Sequence, residues 1–408
     1  MLQFASFGHC DAPKIRKFDE KGKMYNFEYK NPVKIIFGQD TIASISKEIP
    51  AGSRVLITYG GGSIFKNGVY GQVTKALSEF TYFEFGGIEP NPRYQTIMKA
   101  VELVKKEKID FLLAVGGGSV IDGTKFLASA AHFQGENPWD ICQKGAPVKS
   151  AIPMGVVLTL SATGTEMNPF SVVSNDETNE KLPFASPLVY PKFSILDPNV
   201  LKTLPQSQLA NGIIDAFVHV IEQYLTFPNR AEVQDRWAEG IMLTLIEYGP
   251  DYCFKEFNYD IASNAMWAAT MALNGQLALG VPTDWATHTI GHELTALYGL
   301  DHAQSLAVVL PGMMEVMREE KKEKLIRFAQ NVWGLQEEDK DILIDEAIVK
   351  TEEFFKSLGA KTRLSEYDIP EKGIDEIIQK LSKQEKINMG ERKKLTPDRL
   401  KALLEMRF

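Results

Sequence analysis

Short apolar runs alternate with amphipathic stretches through the first half of the chain, a pattern typical of an α/β fold. Between two of these runs, Ile97, Val101 and Val104 recur at the spacing of one helix face. Strands that alternate with helices form βαβ units, whose strands lie side by side in a parallel sheet. Ligands of such sheets bind beyond the carboxyl ends of the strands. The predicted strands are 54–59, 111–115, 151–158 and 193–196.

The pattern changes after Pro205, where long stretches with helical spacing replace the short apolar runs. We therefore predict an α/β domain over 24–205, an all-helical domain over 206–408 and a functional site in the cleft between them. Residues 1–23 mix charges with single apolar residues, so we expect an extension outside the fold, followed by a strand-like stretch at 25–29. The predicted helices are 208–224, 231–248, 261–279, 284–298 and 303–319, with charged helices after them.

Composition narrows the function classes. The 408 residues carry a net charge of −8, and an acidic chain repels nucleic-acid phosphates, so we expect no nucleic-acid partner. The three cysteines have no C-x-x-C spacing and cannot all pair, which favours a reducing compartment, the cytoplasm. No apolar run reaches the ~18 residues of a membrane helix, and residues 1–23 lack the apolar region of a signal peptide, so we expect no membrane association.

Two glycine turns follow predicted strands: Gly60-Gly61-Gly62-Ser63 and Gly116-Gly117-Gly118-Ser119. Glycine lets backbone N–H groups approach a phosphate closely, and a following helix adds positive partial charge. Ile121 stands where a dinucleotide fingerprint has its third glycine, and Thr124 stands where a Walker A loop has lysine. Such turns also occur for geometric reasons alone. Two on neighbouring βα units could still hold one dinucleotide, with the adenosine at one turn and the pyrophosphate at the other.

Ser119 and Asp122 form an S-x-x-D pattern at the predicted start of a helix. This pattern indicates either a capping box, which satisfies backbone N–H groups locally, or a pair of polar groups that face a ligand. Both interpretations stay open at the level of the sequence.

Acid and imidazole side chains recur at helical spacing in the second half of the chain. Asp215 and His219 stand four residues apart, as do His288 and His292, and His302 follows ten residues later. Residues at i and i+4 lie on one face of a helix. A set of one carboxylate and several imidazoles suits Fe²⁺ or Zn²⁺ rather than calcium. The alternative is that each histidine satisfies a local hydrogen bond.

Four motifs together closely resemble the iron-containing alcohol dehydrogenase family, and most closely its butanol dehydrogenases and broad-range NADPH-dependent aldehyde reductases. The motifs are GGGSVIDGTK at 116–125, LTLSATGTE at 158–166, NGIIDAFVH at 211–219 and DWATHTIGHE at 284–293. The resemblance extends from about residue 24 to the end. It implies a Rossmann-like parallel-sheet domain followed by a helical domain, the dehydroquinate-synthase-like fold, and a homodimer. One small departure is Thr165, where the family usually has serine, and a hydroxyl is retained.

The resemblance also implies roles for individual residues. The metal, Fe²⁺ or Zn²⁺, is expected on Asp215, His219, His288 and His302, while His292 is unliganded and faces the nicotinamide. The expected catalytic residues are His292, Asp122 and Lys181. The expected cofactor contacts are Gly60, Gly61, Gly62, Ser63, Asn91, Gly117, Gly118, Ser119, Asp122, Thr159, Thr163, Lys181 and His292, with Asn91 near the adenosine.

The expected reaction is hydride transfer between NADPH and a short or medium-chain aldehyde, with a divalent cation as Lewis acid. NADPH is favoured because the first glycine turn has no carboxylate to repel a 2′-phosphate and has Lys66 nearby, although NADH stays possible. An apolar substrate pocket is expected from Trp267, Met271, Leu277, Leu279 and Trp285. Two other classes share these features: a lyase that pairs NAD with a metal, and a non-catalytic sensor of metal and nucleotide.

Overall fold

The computed structural model describes residues 22–384 and 386–408. In this part of the chain the strands lie in the first half and long helices fill the second half. The strands are β1 (Lys34–Phe37), β2 (Arg54–Tyr59), β3 (Thr81–Phe85), β4 (Phe111–Gly116), β5 (Met154–Leu158), β6 (Phe170–Asn175), β7 (Glu180–Ala185) and β8 (Phe193–Leu196).

Six of these strands form one parallel sheet in the order β1-β8-β5-β4-β2-β3. The predicted strands 54–59 and 193–196 are confirmed as β2 and β8, and 111–115 is confirmed as β4 with one further residue. The strand predicted from residue 151 begins only at Met154. Pro153 directly precedes it, and proline has no N–H to donate to the sheet.

The remaining two strands, β6 and β7, form a separate antiparallel hairpin that packs on the helix after β4. The stretch 25–29 was expected to be strand-like, and this prediction is wrong, because residues 22–33 contain no strand. Tyr25 instead donates its backbone N–H to the Gly280 carbonyl in a loop of the helical half. This stretch therefore bonds to a loop and joins neither sheet of the described residues. Of the extension expected at 1–23, residues 1–21 lie outside the described residues.

The long helices of the second half match the predictions with shifted ends. The helix predicted at 261–279 ends at Ala272, where Leu273 leaves the helical conformation with φ of −140° and Gly275 follows in a left-handed conformation with φ of 91°. The helices are α1 (Ile45–Glu48), α2 (Ser63–Lys66), α3 (Val69–Ala76), α4 (Tyr94–Glu107), α5 (Gly118–Ala130), α6 (Asp140–Gln143), α7 (Gln206–Tyr224), α8 (Glu232–Phe254), α9 (Tyr259–Ala272), α10 (Ala286–Tyr298), α11 (His302–Val316), α12 (Arg318–Asn331), α13 (Lys340–Ser357), α14 (Gly373–Lys383) and α15 (Pro397–Met406).

Separate apolar cores stabilise the sheet and the helices. Helix α7 is buried along almost its whole length from Ala210 onward and contacts α8, α9 and α11. A buried central helix holds its side chains in fixed positions, because the interior is close-packed. Within the described ranges, none of the helices combines the length and the apolar character needed to cross a bilayer.

Candidate active site

The two glycine turns lie next to each other at the carboxyl edge of the sheet, because β2 and β4 are neighbouring strands. The second turn leads directly into α5, which begins at Gly118. A Cβ atom on Gly118 would lie 2.8 Å from Oγ1 of Thr163, and one on Gly117 would lie 2.9 Å from Cβ of Leu160. These two glycines are therefore required by the close approach of the loop after β5, whether or not a phosphate binds there.

The first turn is more open than the second. Gly62 adopts a left-handed conformation with φ of 92°. Gly61 has an ordinary backbone conformation, and a Cβ atom built on it would meet nothing within 4 Å. Gly60 packs towards the Ile88 carbonyl and Val120 of α5, so the two turns border the same space. Gly61 and Ser63 are exposed to solvent, so a ligand can reach this turn.

A chain of polar contacts joins the second turn to the β6–β7 hairpin. Ser119 Oγ accepts a hydrogen bond from the backbone N–H of Asn91, and Asn91 Oδ1 accepts one from Lys181 Nζ at 2.7 Å. Asn91 stands between two prolines in a left-handed conformation with φ of 57°. Burial lowers the pKa of Lys181 to about 8, although Asp122 and Asp215 partly offset the effect. The structure therefore brings three expected cofactor residues together.

The Asp122 carboxylate does not belong to a capping box, so that interpretation of the S-x-x-D pattern is wrong. The first turn of α5 has no side-chain cap. Asp122 Oδ1 instead accepts from Thr165 Oγ1 at 2.6 Å, and Oδ2 accepts from the Val172 N–H at 2.9 Å. Burial raises the pKa of Asp122, and nearby Lys125 opposes that shift. Asp122 therefore links α5 to the loop after β5 and to β6.

Lys125 of α5 is a buried cation whose role could not be predicted from its sequence motif. Its ammonium donates to the carbonyls of Thr165, Asn168 and Phe170 at 2.6–2.8 Å. Burial lowers its pKa to about 8. Lys125 and Asp122 of α5 therefore fix the loop that contains Thr163. Thr159 is held at the same edge, where its backbone N–H donates to the Gly116 carbonyl at 3.0 Å.

The metal-ligand candidates of the helical half converge on one oxygen atom, Oδ1 of Asp215. The Nε2 atoms of His219, His288 and His302 lie 3.7, 3.7 and 3.5 Å from it. Asp215 and His219 come from adjacent turns of α7, His288 from the start of α10 and His302 from the first residue of α11. Ligand atoms of Asp215, His288 and His302 all lie within 4.8 Å of one another, and His219 lies beside that set.

These separations are too long for hydrogen bonds and fit ligands that share a cation. In a tetrahedral site with bonds of 2.0–2.1 Å, the ligand atoms stand about 3.4 Å apart. Oδ1 of Asp215 and Nε2 of His288 are buried and have no hydrogen-bond partner among the described residues. An unpaired buried carboxylate oxygen is costly unless a cation balances it. The donor set of one oxygen and three nitrogens therefore fits a divalent transition metal.

One further carboxylate touches this set and was not found from the sequence. Glu222, also on α7, contacts Nδ1 of His288 with its Oε2 atom. The signal was available, because Asp215, His219 and Glu222 are spaced i, i+4 and i+7 on one helix face. Burial lowers the pKa of His288, but Glu222 and Asp215 outweigh burial and raise it to about 9.

His292 lies one turn after His288 on α10, and its ring stacks on that of His302 with centroids 5.1 Å apart. Burial keeps the pKa of His292 well below its ordinary value, and nearby Lys181 adds to the shift. Lys181 comes from the β6–β7 hairpin of the first half. Burial and the neighbouring positive charge therefore favour the neutral imidazole form of His292 beside the metal-ligand candidates.

The residues expected to form an apolar pocket are only partly brought together. The Trp285 ring lies 5.4 Å from that of His288 and 6.2 Å from that of His219. Trp267 packs edge-on against Phe37 at the end of β1 and is 40% exposed. Leu277 belongs to the helical core. Of the residues expected to line the apolar pocket, Trp285 is therefore the aromatic one that lies beside the metal-ligand candidates.

Comparison with known proteins shows the family to which the chain is similar over nearly its whole length. The family described as iron-containing alcohol dehydrogenase matches residues 32–198, and the C-terminal domain of the Fe-containing alcohol dehydrogenase family matches residues 209–408. The chain is 52% identical over 377 residues to the NADPH-dependent aldehyde reductase YqhD of Escherichia coli K12, covering 92% of this chain and 97% of the relative.

Two further similarities extend the comparison. A probable NADH-dependent butanol dehydrogenase of Bacillus subtilis is 43% identical over 363 residues, which cover 88% of this chain and 93% of the relative. The crystal structure of YqhD from E. coli K-12 matches with a TM-score of 0.93 and 50% identity. That match covers 95% of this chain and 100% of the crystal structure's chain.

Proposed function

The chain belongs to the iron-containing alcohol dehydrogenase family, and on that premise we propose that it is a metal-dependent aldehyde reductase that prefers NADPH. The observation that carries the proposal is the buried Oδ1 atom of Asp215, which lies within 3.7 Å of three imidazole Nε2 atoms. The proposed substrates are short to medium-chain unbranched aldehydes, of which butanal is an example. The proposed metal is Fe²⁺ or Zn²⁺, held by Asp215, His219, His288 and His302.

The bound groups would supply the reactive chemistry, the metal as a Lewis acid and the nicotinamide as the source of two electrons. The protein supplies binding and orientation. The Asp215 carboxylate would balance part of the charge of a bound metal in a buried site, where electrostatic interactions are strong. His292, neutral because its pKa is depressed, would hold one ring proton beside His302. Lys181 and Asn91 order the loop beside the second glycine turn.

The cofactor preference has two supports. The relative of 52% identity is described as NADPH-dependent, whereas the relative of 43% identity is described as NADH-dependent. The first glycine turn carries no carboxylate, and a carboxylate there would repel the 2′-phosphate of NADPH. Absence of repulsion permits NADPH without forbidding NADH, so NADH is proposed as the weaker cofactor.

The organisation of the chain is part of the proposal. We place the α/β domain at 24–205 and the helical domain at 206–408, a division supported by the family matches that end at 198 and begin at 209. We also propose a homodimer and a cytoplasmic location. Cys142 and Cys253 are free thiols, in keeping with a reducing compartment. Light scattering after size-exclusion chromatography tests the dimer.

Purified protein reconstituted with Zn²⁺ or Fe²⁺ tests the function. With NADPH and butanal, absorbance at the nicotinamide band should fall, and kcat/KM should be lower with NADH in place of NADPH. Reduction of butanal at neutral pH should be faster than oxidation of butanol. A strong preference for polyols such as glycerol would contradict the substrate class, and equal rates with and without metal would contradict the metal's role.

A further inference from the structure

Glu222 is a buried carboxylate whose two oxygens both bind the first turns of α10. One oxygen contacts Nδ1 of His288. The other accepts the backbone N–H of Thr287 at 2.7 Å and that of His288 at 3.3 Å. Glu222 is 3% exposed, so these contacts replace the water that the carboxylate has lost. The Glu222 side chain therefore fixes both the His288 ring and the backbone that carries it.

The three candidate imidazole ligands differ in this respect. His219 and His302 are both without a hydrogen-bond partner at Nδ1 within the described ranges, whereas Nδ1 of His288 faces Glu222. A carboxylate at Nδ1 keeps the ring proton on that nitrogen. The lone pair of Nε2 then remains free to bind a metal. Nε2 of His288 is the atom that lies 3.7 Å from Asp215. His288 is thus the ligand candidate whose ring is oriented by the protein itself.

A second layer of charges holds the start of α10 from the other side. The backbone N–H of Asp284 donates to the Glu222 carbonyl at 2.8 Å, and Asp284 Oδ1 accepts the N–H of Ala286. Asp284 Oδ2 accepts from the buried ammonium of Lys321, which also contacts Glu391. Helices α7, α10 and α12 are therefore joined at the point where His288 enters the site.

We propose that Glu222 is a positioning residue for the metal centre: it sets the ring orientation and tautomer of His288 and so raises the affinity of the site for a divalent cation. The proposal rests on the proposed function, which places the metal on His288. Outer carboxylates of this kind typically change metal affinity or activity by about 10- to 100-fold when they are mutated.

The test measures metal affinity directly, without any turnover. Metal-free wild type and the Glu222→Gln variant are titrated with Zn²⁺ against a competing chelator. Glutamine keeps the size of the side chain and removes the charge, so we expect the Zn²⁺ Kd to rise by about 10- to 100-fold. The matched control is Glu239→Gln, which removes a buried carboxylate of α8 that binds Tyr224 and Arg327. The control should keep the wild-type Kd, with circular dichroism confirming that each variant is folded.

The outcomes separate the two proposals. Wild type that binds no Zn²⁺ stoichiometrically overturns the metal site and Glu222's role together. Wild type that binds Zn²⁺ while Glu222→Gln binds it with an equal Kd overturns only the positioning role. If Glu222→Gln does not fold, Glu222→Asp takes its place, because the shorter side chain draws the carboxylate back from Nδ1. Its Kd should rise at least about fivefold, and an unchanged Kd again overturns the role of Glu222.

Discussion

Oδ1 of Asp215 lies 3.5 Å from Nε2 of His302, although the two residues belong to different helices, α7 and α11. At that separation the two atoms do not form a hydrogen bond, and the carboxylate is buried. Burial of an unpaired carboxylate costs free energy that a shared cation offsets. The pair therefore supports a metal centre more strongly than either residue does alone.

Removal of a ligand candidate should abolish both metal binding and turnover. We expect Asp215→Ala and His288→Ala to lower kcat/KM by at least about 10³-fold, since Lewis-acid stabilisation of the transition state supplies several kcal/mol. Metal content by mass spectrometry should fall well below one ion per chain, while circular dichroism shows a folded protein.

The matched control for these substitutions is His132→Ala, which removes an exposed histidine on the far end of the α/β half from the ligand candidates. The control should keep its metal and its kcat/KM. Full activity with one metal ion per chain in either Asp215→Ala or His288→Ala would show that the ligand assignment is wrong.

His292 should separate metal binding from catalysis. Its ring stacks on His302 but is not among the atoms around Asp215, so His292→Ala should retain the metal. We expect kcat to fall by about 10²-fold or more, the range for loss of a group that handles a proton. Parallel measurements of metal content and kcat check this prediction. A His292→Ala protein without metal would place His292 among the ligands instead.

The sequence was informative wherever one local pattern determined the outcome. The β2 strand and the glycine turn after it could be read from residues 54–63, because a buried parallel strand is a continuous apolar run. The spacing of Asp215 and His219 predicted their shared helix face, and the structure places both beside His288 and His302. Local patterns of this kind need no knowledge of distant partners.

Apart from Glu222, the features that were missed depend on distant partners. The β6–β7 hairpin carries Lys181, but Pro183 interrupts the second strand and the alternation of apolar residues is weak. Lys125 is a polar residue of α5, and the three carbonyls that accept its hydrogen bonds in the interior lie about forty residues away in the chain. The capping-box interpretation of Asp122 failed for the same reason, since Thr165 and Val172 replaced a local partner.

The affinity for NADPH should depend on pH through Lys181. Burial lowers the pKa of this lysine from 10.5 to about 8, so its positive charge is present below that pH and is lost as the pH rises through it. If the ammonium attracts the cofactor phosphates, the KM for NADPH should rise several-fold between about pH 7 and about pH 9.

Two substitutions isolate the contribution of this charge. Lys181→Arg keeps a cation at all these pH values and should give a flat KM profile, whereas Lys181→Met should have a raised KM throughout. Lys105→Met, an exposed lysine of α4, serves as the control and should follow the wild type. A wild-type KM that stays constant over this range would show that Lys181 does not contribute through its charge.

Cofactor preference should be reversible at a single position, Gly61. A Cβ atom there meets nothing within 4 Å and the backbone conformation is ordinary, so a larger residue fits without strain. A carboxylate at the end of β2 accepts ribose hydroxyls and repels a 2′-phosphate. We therefore expect Gly61→Asp to shift the ratio of kcat/KM for NADPH to that for NADH at least about tenfold towards NADH, which corresponds to about 1.4 kcal/mol.

Gly61→Asn is the matched control, because asparagine has nearly the same size as aspartate without its charge. If repulsion is the cause, Gly61→Asn should keep the wild-type preference, and the Gly61→Asp effect should weaken as salt screens the charges. Equal shifts in the two variants would point to the bulk of the side chain instead of its charge. A wild type that already uses NADH with the higher kcat/KM would contradict the proposed role of the glycine turn, because the absence of a carboxylate would then not select NADPH.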